Sequence, residues 1–245
     1  MDVKDKLQTL HEMGIEFEMQ FKKEKAAEKN EPMALKEESQ AFTPAKPIED
    51  SALEKVKTLD ELRAYMNAFD KCALKWQATQ MVFSDGVPTA EVMFIGEAPG
   101  AEEDRQGKPF VGQSGQLLDK FLSFIGLSRA KNVYIANIVP WRPPENRAPT
   151  NEEIAICRPL LMKHIALIKP KVIVFLGATS FRGVMGVKEG ILKARGQWYE
   201  LDDPFVDQPI KCMPIFHPAF LLRSPKQKAY FWHDLLTIKK FIAEA

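Results

Sequence analysis

Four short apolar runs set the frame of the chain: residues 92–95 (VMFI), 133–136 (VYIA), 172–176 (VIVFL) and 211–216 (KCMPIF). Runs of this length without polar alternation suit strands of a parallel sheet covered on both faces. Pro214 removes a backbone donor from the fourth run, which predicts an edge position or a bend there. Apolar residues at helical spacing fill the intervals, predicting helices over 115–125, 151–168 and 229–242. Thr58 followed by Glu61 has the form of a capping box and predicts a helix through about Ala68. Pro149-Thr150-Asn151 ahead of Glu152 and Glu153 predicts another helix start, with acids where the helix dipole favours them. Strands alternating with helices predict an α/β fold, a three-layer α/β/α sandwich on a central, mostly parallel four-stranded sheet.

The first 51 residues follow a different pattern. Leu7, Leu10, Met13, Ile15, Phe17 and Phe21 give residues 1–24 an amphipathic helical spacing. Residues 25–51 are rich in Lys, Glu, Ala and Pro without apolar periodicity, and predict a flexible linker before a folded domain at 52–245. A tethered helix could dock on a partner protein or pack on its own domain; the pattern leaves both open. Residues 1–50 hold 8 Lys against 12 Asp and Glu, whereas the whole chain carries +1, so the remainder is modestly basic. That suits local contact with a phosphate backbone, not coating of DNA by bulk charge. No apolar stretch is long enough for a membrane span, and the N-terminus (MDVKDKLQTL) has charges where a secretory signal needs an apolar core. Cytoplasmic localisation is the expectation. Three cysteines, Cys72, Cys157 and Cys212, do not form a secreted disulfide framework.

In a parallel α/β sheet, ligands bind beyond the carboxyl ends of the strands. Three predicted strand ends carry suitable residues: Gly96-Glu97-Ala98-Pro99-Gly100, Asn137 and His217-Pro218-Ala219. Each alone is weak. GEAPG is not a phosphate-binding loop pattern, a single Glu is usually solvated, and a single His is usually a core residue. Their expected convergence on one sheet edge is the stronger signal.

The blocks GEAPGAEEDRQGKPFVGQSGQLLD (96–119), YIANIVPWRPPENRAPTNEE (134–153) and HPAFLLR (217–223) closely resemble the family 4 uracil-DNA glycosylases. The resemblance runs in order from about Cys72 to Leu236. It implies a monofunctional glycosylase that flips uracil out of DNA and cleaves its glycosidic bond, leaving an abasic site for base-excision repair. It also implies a role for each matching residue. Phe110 stacks on the base. Asn137 reads N3–H and O4, with a mispaired buried amide costing roughly 1–3 kcal/mol per group. Glu103 crowds C5 against thymine. Glu97 stabilises positive charge on the sugar and positions water. His217 donates to uracil O2, assisted by backbone N–H groups near Gly96 and Ala98. For DNA grip, the resemblance places an apolar wedge at Leu221, with Leu222 as the competing candidate, and a contact to the backbone or the minor groove at Arg223. Arg142 and Arg147 bound a Pro-stiffened loop that either touches phosphate or is a rigid solvated turn.

Family 4 enzymes hold a four-iron, four-sulfur cluster on four cysteines. Here Phe69 and Trp141 stand at two of those positions and only Cys72 and Cys157 remain. Two thiolates are too few for such a cluster, and Cys212 lies too far along the chain to help. The expectation is no cofactor, no metal, an aromatic pair filling the vacated volume, and two neighbouring free thiols. Uracil-containing DNA is the expected partner of a monomeric enzyme. A non-catalytic DNA- or uracil-binding module of a repair or replication complex, and a hydrolase of free nucleotides, are the rival readings.

Overall fold

The computed structural model describes residues 51–244. The helix expected at 1–24 and the linker expected after it lie outside these residues, except that Ser51 already opens a helix. Among the described residues the helices are α1 (Ser51–Glu54), α2 (Leu59–Ala68), α3 (Ala101–Gln106), α4 (Gln113–Phe124), α5 (Asn151–Ile168), α6 (Ala178–Met185), α7 (Ile191–Ala194), α8 (Pro218–Arg223) and α9 (Lys228–Glu244). The strands are β1 (Asp85–Gly86), β2 (Val92–Gly96), β3 (Val133–Asn137), β4 (Val172–Leu176), β5 (Tyr199–Leu201) and β6 (Ile210–Ile215).

The expected capping box forms at α2, and the helix start expected at Thr150 proves to be a second one. The Glu61 N–H donates to Thr58 Oγ1 at 3.2 Å while Glu61 accepts from the Thr58 N–H, and Thr150 and Glu153 do the same for α5. Each satisfies two donors that the first helical turn would leave unpaired.

The sheet has the order β1-β3-β2-β4-β6-β5. Strands β3, β2, β4 and β6 are the four read from the sequence, and they run parallel. The expected count of four is corrected to six. Short antiparallel strands pair at each edge, β1 on β3 and β5 on β6, and neither is long enough to carry a hydrophobic period. Pro214 is therefore not in an edge strand. Its effect is local: β5 pairs only with Ile210–Cys212, and beyond that the outer side of β6 has no ladder for a proline to interrupt. On that side the Pro214 carbonyl accepts from the Gly196 N–H at 2.9 Å.

Alternation along the buried strands divides the core into two layers. Met93, Ile95, Ala136, Ile173 and Phe175 pack on the side of α2, α5 and α6. Val92, Phe94, Ile135, Val174 and Ile215 pack on the side of α4, α8 and α9. This is the three-layer sandwich expected. No helix among the described residues is long and apolar enough to cross a membrane.

Candidate active site

A cavity of about 550 Å³ opens at the carboxyl ends of the parallel strands. Glu97, Ala98, Glu103 and Phe110 reach it from the segment after β2, and Asn137 from the end of β3. Arg147 comes from the following loop, and His217 and Arg223 from the segment after β6. The central strand pair fixes much of this geometry. Gly96 is in register with Asn137, and the hydrogen bonding continues past the strands: the Ile138 N–H donates to the Gly96 carbonyl at 2.9 Å, and the Val139 N–H to that of Glu97 at 3.0 Å.

Gly96 lies behind the cavity wall. A Cβ there would fall 2.4 Å from Asn137 Oδ1 and 2.6 Å from the Phe110 ring, so the absence of a side chain lets the amide and the ring sit against the strand end. Asn137 is only 6% exposed, and its Oδ1 is buried with no hydrogen-bond partner. An unpaired acceptor in such a place costs stability of about 1–3 kcal/mol, which a ligand donor would relieve. Phe110 is buried, adopts a left-handed φ of 55°, and lies 5.5 Å from the His217 ring between centroids.

His217 caps α8. Its Nδ1 accepts from the Ala219 N–H at 3.1 Å, so in the neutral ring the proton resides on Nε2, which is left as the donor. Burial, with Arg223 adding to it and Glu103 opposing, lowers the His217 pKa to about 4. The imidazole is neutral at physiological pH. Burial raises the pKa of Glu97, and a hydrogen bond with Thr179 partly offsets this. A desolvated carboxylate and a neutral N–H donor thus share one cavity, an arrangement suited to a reaction that separates positive from negative charge. Glu103 lines the same cavity, but its carboxylate accepts from the N–H groups of Gly100 (3.2 Å), Val111 (2.9 Å) and Gly112 (2.8 Å). It ties the loop that carries Phe110.

Residues 83–236 match the family model described as the uracil DNA glycosylase superfamily. The chain belongs to this superfamily. Among relatives, it is 41% identical over 180 residues to the type-4 uracil-DNA glycosylase of Thermotoga maritima, covering 70% of this chain and 88% of that one. It is 38% identical over 189 residues to the type-4 uracil-DNA glycosylase of Sulfurisphaera tokodaii, covering 75% and 84%.

In this glycosylase-superfamily chain the residues expected to grip DNA divide. Leu221 is fully buried, packed in the layer shared by α4 and α9. It cannot serve as an exposed wedge, because α8 turns that position inward. Leu222, the competing candidate, is 45% exposed. Arg147 makes a two-pronged ion pair with Glu153 at 2.6 and 2.8 Å, and Arg142 donates to Asn146 Oδ1 at 2.7 Å. Arg142 does not line the cavity; Arg147 does.

The four positions at which the family resemblance implies cluster ligands are Phe69, Cys72, Trp141 and Cys157. The Phe69 and Trp141 rings stack with centroids 6.1 Å apart and planes 7° apart, and both are buried. Cys72 and Cys157 are fully buried and hydrogen-bonded to each other, which lowers the Cys72 pKa and, with burial, raises that of Cys157. Packed rings and a thiol–thiol hydrogen bond fill the place of an inorganic core, so these residues do not fit the cluster.

Sequence reasoning missed Thr179, the hydroxyl partner of Glu97. It follows the Gly177-Ala178 end of β4, and the rule that pointed to the other strand ends would have reached it. It also missed Phe220 and Ser114, which line the cavity. Phe220 sits inside the HPAFLLR block but carries no polar chemistry to single it out.

Proposed function

We propose that this protein hydrolyses the N-glycosidic bond of uracil in DNA, leaving an abasic site as the first step of base-excision repair. The observation that carries this reading is the buried, unpaired Asn137 Oδ1 on the wall of a cavity shared with Phe110, Glu97 and His217. An amide acceptor beside an amide donor complements N3–H and O4 of uracil; cytosine offers a bare N3 and an amino group instead. The flipped base stacks on Phe110. As the C1′–N1 bond lengthens, the sugar becomes cationic and uracil leaves as an anion. His217 donates its Nε2–H to uracil O2, and Glu97 stabilises the sugar and orients the water. The water oxygen bonds to C1′, and its proton passes to Glu97 and on to solvent. Thr179 holds the Glu97 carboxylate. Leu222 fills the gap in the duplex, while Arg223 and Arg147 contact the backbone.

The chain performs this reaction without an iron–sulfur cluster, with the Phe69–Trp141 stack in the cluster's place. Three free, buried cysteines suit a reducing cytoplasm.

A strand-cleavage assay on uracil-containing oligonucleotides tests the proposal. Wild type should convert them to abasic product. His217→Ala should lose roughly 10²–10³-fold in rate, the effect of removing one preorganised donor, and Asn137→Ala should be similarly poor. Retained binding with no turnover by wild type would instead indicate a non-catalytic module, and cleavage confined to free deoxyuridine a nucleotide hydrolase.

A further inference from the structure

Arg129, in the loop between α4 and β3, makes more protein contacts than its place in a surface turn requires. Its Nε donates to Asp119 at 2.8 Å and its Nη1 to Asp85 at 3.2 Å. The same guanidinium donates from Nη1 to the Pro109 carbonyl and from Nη2 to the Phe110 carbonyl. Its side chain is only 14% exposed. The Phe110 carbonyl is confined on a second side: a Cβ on Gly115, in the first turn of α4, would lie 1.8 Å from that oxygen. Between them, Phe110 is held at a φ of 55°, a conformation that side-chain-bearing residues rarely adopt. The ring thus directed lies against Gly96 and beside His217.

We propose that Arg129 is a positioning residue that pre-sets the Phe110 ring for the extruded base, by clamping the Pro109 and Phe110 carbonyls to β1 and α4. The inference rests on the reading of Phe110 as the stacking face. All three guanidinium nitrogens are engaged in different directions, so the clamp needs a planar fork; a lysine ammonium cannot reach two carbonyls and two carboxylates in that plane. With the clamp in place, the stacking face is ordered before DNA arrives, and the ordering cost is not charged against binding. Without it, Phe110 relaxes toward ordinary backbone angles and the ring leaves the cavity wall.

The test uses free uracil as an inhibitor and an oligonucleotide with a stable abasic analogue, which presents no base to stack. Phe110→Ala should weaken inhibition by uracil roughly ten-fold, the scale of losing one base–aromatic stack. Arg129→Met should weaken it about three- to ten-fold while leaving affinity for the abasic oligonucleotide within about two-fold. The double variant should be no worse than Phe110→Ala alone, because both changes remove one interaction. Arg129→Lys keeps the charge beside Asp85 and Asp119; it should show the same pattern and carries the test if Arg129→Met does not fold. Losses that multiply in the double variant, or abasic-DNA affinity that falls in step with uracil inhibition, would overturn the inference and leave Phe110 as the stacking face. Unchanged inhibition in Phe110→Ala would remove that assignment and the inference with it.

Discussion

Truncating Trp141 to Ala measures what the protein gains from aromatic packing at a position where the family resemblance implies a cluster-binding cysteine. Trp141 is 1% exposed and stacks on Phe69, itself 7% exposed. Removing a buried Trp side chain costs about 3–5 kcal/mol, partly through the cavity left behind. The upper part of that range applies here, because a packed ring pair adds about 0.5–1.5 kcal/mol beyond area. For a domain of this size each kcal/mol moves the melting temperature by roughly 2–4 °C, so Trp141→Ala should melt about 10–20 °C below wild type. The assay is thermal unfolding followed by far-ultraviolet circular dichroism, with iron measured on the same samples. A companion variant, Phe69→Cys with Trp141→Cys, restores four cysteines together with Cys72 and Cys157. It should be unstable as purified and regain stability, with stoichiometric iron, after anaerobic reconstitution with iron and sulfide. Wild-type protein that purifies with stoichiometric iron, or a Trp141→Ala variant melting within about 2 °C of wild type, would refute the reasoning.

Three other outcomes follow from the same chemistry. Burial raises the Glu97 pKa, so the ionised carboxylate destabilises the fold: stability is greatest below the ordinary carboxylate value and falls as pH rises through the raised one. Glu97→Gln should therefore melt higher than wild type at pH 7 and converge with it in acid, while losing roughly 10²-fold or more in rate; wild-type activity should decline on the acid side as Glu97 takes a proton. His164 is buried against Phe83 and Tyr134 and its pKa is lowered to about 3, chiefly by burial. The stability tied to its neutral form is present above about pH 6.5 and is lost as pH falls toward 3, at up to about 1.4 kcal/mol per pH unit; His164→Phe should flatten urea midpoints between pH 6.5 and 4.5, and unchanged slopes would contradict this. Leu222→Ala should lower kcat/KM on duplex substrate about ten-fold and on single strands little, because only a duplex leaves a hole to fill; equal losses on both would remove the wedge assignment.

The strands that build the site were legible because burial on both faces produces uninterrupted apolar runs. Edge strands β1 and β5 were not, since two or three residues carry no period. Pro214 shows the limit from another side: its missing donor is plain in the sequence, but whether a neighbouring strand extends far enough to need it is a property of the assembled sheet. The site residues at strand ends were legible through the rule that such ends converge. Leu221 was misplaced because counting from His217 gives a position but not the face of the short helix that follows. Glu103 shows in the sequence only as one acid of a helix's first turn; that its oxygens are held by three backbone donors is a property of the folded loop. Arg129 acts on partners distant in sequence and no local pattern marks it, whereas Thr179 lies just past the end of β4, where the strand-end rule reaches.

The pairing of Gly96 with Asn137 has a consequence for how this site can vary. The residue proposed to read the base and the one next to the proposed acid are rungs of one ladder, extended by two further backbone bonds. Inserting or deleting a single residue in either central strand would shift both fingers of the grip at once and turn the reading amide to the opposite face. New base preferences in this scaffold are therefore accessible by exchanging side chains around a rigid frame, whereas changes of chain length must fall in the outer loops.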